Sequence, residues 1–317
     1  MEPVLKPLRL APQYRDYVWG GDRLKPGSSP VAEAWVVYEN NLVLDGDYAN
    51  QTLAQVTVQA GVQLLGKKTF QKTGSQFPLL IKLLDCQKWI SLQVHPDDQN
   101  VLELEGQGQF GKTESWYFIE AQPGAEILGG IKTGVARKEM EEAIRSHTLL
   151  EKMNRLKVQS GEAILIPAGM VHALGPGLLV YEVQQSSDWT YRVWDWDRPA
   201  TSNRPLHIEK AIKAANPSLA GHIVSLPEEN RRPVNRLVSC PYFSLSMIET
   251  ESQVIQMDTL SESFHAITVI EGTITLEGDG WQQNMEKFET VVVPADTGCY
   301  RLIPLRNAKI LCSMAGE

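Results

Sequence analysis

Apolar residues in this chain come in short runs that turn residues repeatedly close, and that rhythm limits the folds open to it. Residues 31–38 (VAEAWVVY), 77–84, 89–94, 115–121, 163–166 and 178–183 are rich in β-branched, aromatic or leucine side chains. They stop at signals such as Gln122-Pro123-Gly124 and Pro167. Short strands between turns predict a sandwich or barrel, not a helical bundle. Helical periodicity is confined to 135–153, 52–65 and 206–215, the last ending at Asn216-Pro217. Within the first, Thr148 and Glu151 fit a capping box that would restart a helix. The strand rhythm resumes at 243–248, 266–270, 273–276, 290–293 and 309–311. Between the two blocks, 216–233 carries Pro217, Pro227 and Pro233 among Glu228, Glu229, Arg231 and Arg232. The expectation is a mostly β chain in two units, 1–220 with a small helical insert at about 135–153, and 233–317.

A length of 317 residues agrees with two domains at about 150 residues each. The net charge of −8 argues against nucleic acid as a partner, which needs a basic face. No run approaches the roughly 18 apolar residues of a membrane span. Residues 1–10 hold charges and two prolines and lack the apolar core of a signal peptide. Cys86, Cys240, Cys299 and Cys312 form no C-x-x-C pair, so neither a cysteine zinc site nor a disulfide framework is expected. These features predict a soluble cytoplasmic protein.

Six histidines are available, and two stand in informative settings. In Ser91-Leu92-Gln93-Val94-His95-Pro96-Asp97-Asp98, alternation along a strand projects Ser91, Gln93 and His95 to one face. An amide and an imidazole there can both ligate a metal; an edge strand with a polar face fits the pattern equally well. The second setting is Gly161-Glu162-Ala163-Ile164-Leu165-Ile166-Pro167-Ala168-Gly169-Met170-Val171-His172. A proline ends strand pairing, a glycine permits a tight turn, and a histidine emerges on the next strand. The segment resembles the second cupin motif, G-x5-P-x-G-x2-H, whose histidine binds metal inside a β-barrel. Glu114, at the start of a strand, supplies a carboxylate. Gln93, His95, Glu114 and His172 then form an N/O donor set that suits zinc or another divalent first-row ion. The spacing from His95 to Glu114 requires 97–111 to be a loop over the barrel mouth.

Taken in order, QVHPDD, GKTESWYFIEA, PAGMVHALGPG and QQSSDWTYRVWDWDR resemble the signatures of type I mannose-6-phosphate isomerase, short bacterial form. Tyr17-Val18-Trp19-Gly20-Gly21 and Ala32-Glu33-Ala34-Trp35 are similar to its N-terminal motifs, with Ala32 where the family usually has glycine. The resemblance implies two cupin-type (jelly-roll) β-barrels. It implies one zinc per chain on Gln93, His95, Glu114 and His172, with other divalent metals open. It also implies a sugar-phosphate pocket lined by Ser91, Lys112, Glu182, Asp188 and Arg192, and aldose–ketose interconversion of mannose 6-phosphate and fructose 6-phosphate.

That chemistry moves a proton between C1 and C2 through an enediol(ate). It needs a base near both carbons and positive charge near the developing oxyanion. Arg192, permanently charged with its donors in a fixed fork, fits the second task. Lys112 fits phosphate binding or proton transfer. Glu182, Asp188 and a metal-bound water all stay open as the base. Plainer readings stand beside these: a surface arginine at 192, a solvated Lys112–Glu114 pair, and a turn starting at Asp188. Glu182 follows a long apolar run and demands a partner if buried. Trp19 either closes one wall of the pocket or belongs to the core. Trp189, Trp194 and Trp196 read as packing residues, and His147, His207, His222 and His265 as surface or structural. The C-terminal unit repeats the cupin rhythm, but no histidine follows Val293-Pro294-Ala295-Asp296-Thr297-Gly298, so a structural role is expected. A cupin oxygenase and a non-catalytic sugar-phosphate-binding cupin are the rival functions. The additional Gln93 ligand and the set of pocket residues argue against both. The partner expected is a small sugar phosphate, and the chain reads as a monomer or a homodimer.

Overall fold

The computed structural model of the chain describes residues 5–27, 30–199, 204–227, 229 and 232–316. Residues 1–4 of the N-terminal stretch, and Glu228 and Arg231 of the expected linker, lie outside the described residues. The chain is mostly β, in two cupin-type units built of antiparallel strands. One unit takes residues 14–34 and 82–225; the other takes the described parts of 1–13, 35–81 and 226–317. The division differs from a single cut after residue 220, because distant segments pair. Leu8–Arg9 is hydrogen-bonded to Thr290–Val293, with Leu8 opposite Val292. The helix Val62–Leu65 packs on the turn Ala295–Thr297. The buried strands Glu33–Val37 and Leu79–Cys86 carry the chain from one unit to the other.

In the first unit, one sheet runs in the order Tyr191–Trp194, Leu92–Val94, His172–Leu174, Glu126–Ile131, Met153–Lys157. A second sheet contains Ile223–Val224, Ala163–Ile166, Glu114–Ala121 and Leu178–Gln185 in that order. Strand alternation sends Glu114, Trp116 and Phe118 to one face. Trp116 and Phe118 join the core with Ile127, Leu174 and Val180. Glu114, the polar member, begins its strand.

The helical insert is Arg137–Arg145, whose buried face is Met140, Ala143 and Ile144. The capping box expected at Thr148 is not formed. Thr148 has φ −107° and ψ 7°, and its hydroxyl meets Ser146 Oγ, so only a 3-10 turn, Leu149–Lys152, follows. The expected loop over 97–111 instead contains the helix Asp98–Glu105, capped by Asp97, whose carboxylate accepts from Asn100 N at 2.7 Å.

The second unit has a sheet in the order Leu8–Arg9, Thr290–Val293, His265–Glu271, Ala308–Ala315, Phe243–Thr250, Val234–Ser239. Its other sheet is Ile255–Asp258, Cys299–Pro304, Ile274–Gly278, Trp281–Met285. Ile248, Ile267, Val269, Leu276, Tyr300 and Ile310 are buried together in its core. Among the described residues no helix is long and apolar enough to cross a membrane.

Candidate functional site

Three candidate residues lie abreast on one sheet. Gln93 is paired with His172 on one side and with Arg192 on the other. Directly opposed residues share a face with Cβ atoms about 4.5–5.5 Å apart. Ser91 and His95 flank Gln93 at a spacing of two and project the same way. The turn before His172 braces both histidines. Gly169 has φ +87°, and its N–H donates to the His95 carbonyl at 2.8 Å. The Met170 carbonyl, one residue on, receives the His172 Nδ1 proton at 2.8 Å.

Glu114 reaches this group from the other sheet. Its Oε2 lies 3.2 Å from His95 Nε2, and its Oε1 lies 3.3 Å from His172 Nε2. His95, Glu114 and His172 are at most 1% exposed. His95 Nδ1 donates to the Trp189 carbonyl at 2.9 Å, so both rings spend their Nδ1 proton on the backbone. Burial, with the Lys112 charge second, pushes His95 down to about 3. Burial lowers His172 as well, against the opposing charge of Glu114. Both imidazoles are therefore neutral at physiological pH and turn Nε2 lone pairs toward a carboxylate. Burial alone would raise the Glu114 carboxyl, but the Lys112 ammonium together with His95 and His172 outweighs it and holds it well below the usual range. Lys112 Nζ sits 2.7 Å from Glu114 Oε2 and 3.0 Å from His95 Nε2, so it belongs to this cluster rather than to solvent. Glu114 Oε1 has no hydrogen-bond donor. A buried carboxylate oxygen without a donor, beside two imidazole lone pairs, is an arrangement that a cation would satisfy. Gln93 completes the ring: its carboxamide contacts His172 Nε2 at 3.4 Å and Ser91 Oγ at 3.0 Å.

A cavity of about 270 Å³ opens beside the cluster. Ser91, Gln93, Lys112, Glu182, Asp188 and Arg192 all line it, as does Trp19, which is only 3% exposed. Glu182 has the partners its burial demands. Trp116 Nε1 donates to Oε2 at 2.8 Å, and Lys82 Nζ lies 3.3 Å from Oε1. Burial, with the Glu114 charge second, raises the Glu182 carboxyl, while Lys82 pulls the other way. Asp188 is exposed at the cavity. Arg192 is part-buried, and its Nε has no partner. Trp194 and Trp196 pack against each other in a tilted contact with centroids 4.5 Å apart, whereas Trp189 lines the cavity.

Several lining residues escaped the sequence reading. Lys82 pairs with Glu182 and, at 3.8 Å, with Glu33. Burial opposes its charge, but those two carboxylates hold its pKa raised. Its sequence signal was a lone lysine inside the apolar strand LLIKLLDC. Arg204, His207 and Lys210, spaced by three, also reach the cavity. His207 is half-buried and braces the backbone: its Nδ1 accepts from Arg192 N at 3.2 Å, and its own N–H donates to Arg192 O at 2.8 Å. His147 and His222 are exposed. His265 is buried in the second unit, against the Tyr300 hydroxyl.

Known proteins resemble this chain in sequence and in fold. Residues 8–110 match the family described as phosphomannose isomerase type I, catalytic domain. The chain is 32% identical over 309 residues to the mannose-6-phosphate isomerase of Streptococcus mutans, covering 92% of this chain and 93% of that protein. It is 31% identical over 310 residues to the mannose-6-phosphate isomerase ManA of Bacillus subtilis, covering 94% and 96%. The fold matches the crystal structure of the mannose 6-phosphate isomerase from Bacillus subtilis with a TM-score of 0.85 and 30% identity, over 98% of this chain and 99% of that one.

Proposed function

Because the chain belongs to the type I phosphomannose isomerase family, we propose that it interconverts mannose 6-phosphate and fructose 6-phosphate, with one zinc ion held by Gln93, His95, Glu114 and His172. The observation that carries the metal reading is Glu114 Oε1, buried without a donor beside two neutral imidazoles. Two ring nitrogens, a carboxylate and an amide oxygen suit zinc, and both histidines already spend Nδ1 on carbonyls, as metal-bound histidines do. Exchanging the two ends of the Gln93 carboxamide offers its oxygen to the cluster and lets Nε2 donate to Ser91 Oγ. When bound, the ion supplies charge that polarises or orients the oxygens of the open-chain sugar.

The remaining work belongs to side chains. Glu182 is the base that fits best: it is buried at the cavity, oriented by Trp116 and Lys82, and raised in pKa. A positioned base is worth about 10²–10⁴-fold. Arg192 offers a free Nε–H for negative charge developing on the substrate. Lys112, beside Glu114 at the cavity, stands where it can hold a proton near the reacting carbons. A hexose phosphate carries about two negative charges and is retained in the cell that makes it, so the same reading places the chain in the cytoplasm.

The test is a coupled assay with mannose 6-phosphate on protein stripped of metal and reloaded with zinc. Zinc-dependent formation of fructose 6-phosphate is expected. His172→Ala should lose both bound zinc, measured by atomic emission, and turnover. Full activity in that variant, or no product with any divalent ion in the parent, sinks the reading.

A further inference from the structure

One end of the cavity carries more positive charge than its carboxylates balance. Asp195 is buried and receives two guanidiniums, Arg198 Nη1 at 2.9 Å and Arg204 Nε at 2.9 Å. Arg192, on the strand that ends just before Asp195, has no ion-pair partner at hydrogen-bonding range among the described residues, and its Nε is free. Its pKa is lowered, by burial first and by the Arg204 charge second. Two like charges are thus held together at a part-buried wall. Lys210 and Glu105 neutralise each other nearby at 2.6 Å. Asp195 and Asp188 act on Arg192 in the opposite sense without reversing that shift, so positive charge gathers at Arg192 and Arg204.

Arg204 is fixed in place. Its side chain is 9% exposed, it lies over the Tyr17 ring at 5.9 Å, and its Nη2 donates to Ser91 Oγ at 3.3 Å. Ser91 in turn touches Gln93 of the metal cluster. Lys112, though it lines the same cavity, is engaged with Glu114 and His95 rather than with Ser91.

We propose that Arg204 is a substrate-binding residue that, with the Ser91 hydroxyl, takes the phosphate of the hexose phosphate, leaving Lys112 to the reacting end. This rests on the isomerase reading above. An open-chain hexose 6-phosphate carries its charge at the opposite end from C1 and C2, so the charge needs a subsite separate from the base. A dianion between Arg204 and Arg192 balances the surplus and relieves their repulsion. When Gln93 turns its oxygen to the metal, Ser91 Oγ accepts from Gln93 Nε2 and Arg204, and its own proton is free for a phosphate oxygen.

Arg204→Gln and Arg204→Lys test this with two readouts: steady-state kinetics on mannose 6-phosphate, and calorimetric binding of inorganic phosphate to the zinc-loaded protein. Arg204→Gln is expected to raise KM about 10- to 100-fold, with kcat falling less than KM rises. Phosphate binding should weaken in parallel, and Arg204→Lys should fall between. Far-UV circular dichroism and a melting curve establish that each variant is folded. An unchanged KM, or a loss confined to kcat with phosphate binding intact, overturns the assignment. Parent protein that binds phosphate through Arg204 but makes no fructose 6-phosphate would leave the subsite standing and remove the isomerase reading instead.

Discussion

Glu182 sits on a strand whose every residue is buried, and its carboxylate is tolerated there because each oxygen has a donor, Trp116 Nε1 or Lys82 Nζ. Glu182→Gln keeps the shape and removes the capacity to take a proton. We expect kcat to fall about 10²–10⁴-fold with zinc content unchanged. Activity near that of the parent would transfer the role of base to another group. The sign with pH follows from its raised carboxyl: a base must be ionised, so turnover should drop as pH falls through that raised value. Among single residues, the grouping of Gln93, His95, Glu114 and His172 could be anticipated from strand alternation, the spacing before His172 and the family resemblance, and the four do lie together. The pairing of Lys82 with Glu33 could not. A lysine is stable at 4% exposure only beside carboxylates, and nothing within its own strand shows which ones come near.

At the level of elements, the turn Pro167-Ala168-Gly169 decides where His172 emerges. Gly169 has φ +87°, and a Cβ there would meet the Ala214 carbonyl oxygen at 3.1 Å. The same residue is held from both sides, donating to His95 O and accepting from Asn216 N at 2.9 Å. Gly169→Ala should cost about 1–2 kcal/mol in urea unfolding and weaken zinc retention, because both histidines hang on this turn. Equal stability and equal zinc retention would show that the turn is not what positions them. This element was legible because proline and glycine act locally. The helix Asp98–Glu105 was not: it spans only two turns and buries Val101 alone, so its apolar period is too short to stand out from a loop.

For the molecule as a whole, pH should act on stability through a group far from the chemistry in sequence. His265 lies in the core of the second unit, its Nδ1 2.8 Å from the Tyr300 hydroxyl. Burial lowers its pKa to about 4 from 6.5, with Asp258 opposing. Between those values the unfolded chain binds a proton that the folded one refuses. Stability contributed by the neutral ring is therefore present above about 6.5 and lost as pH falls toward about 4. The loss is on the order of 2–3 kcal/mol. Urea midpoints at about pH 7 and at about pH 4.5 check it: the parent should lose more stability between them than His265→Gln does. Equal losses would assign the acid sensitivity elsewhere.

Alternation, turn residues and motif spacing are local properties, and they were enough for the mostly β class and the strand–turn–histidine segment. Tertiary structure alone decided the rest. It placed Leu8 against Val292, and it set Arg204 on Ser91, 113 residues away along the chain. It also turned Lys112 into the cluster rather than toward solvent. The physical reason is common to all three: which buried charge or strand edge meets which depends on desolvation and pairing between distant segments, and no period within a segment encodes its partner.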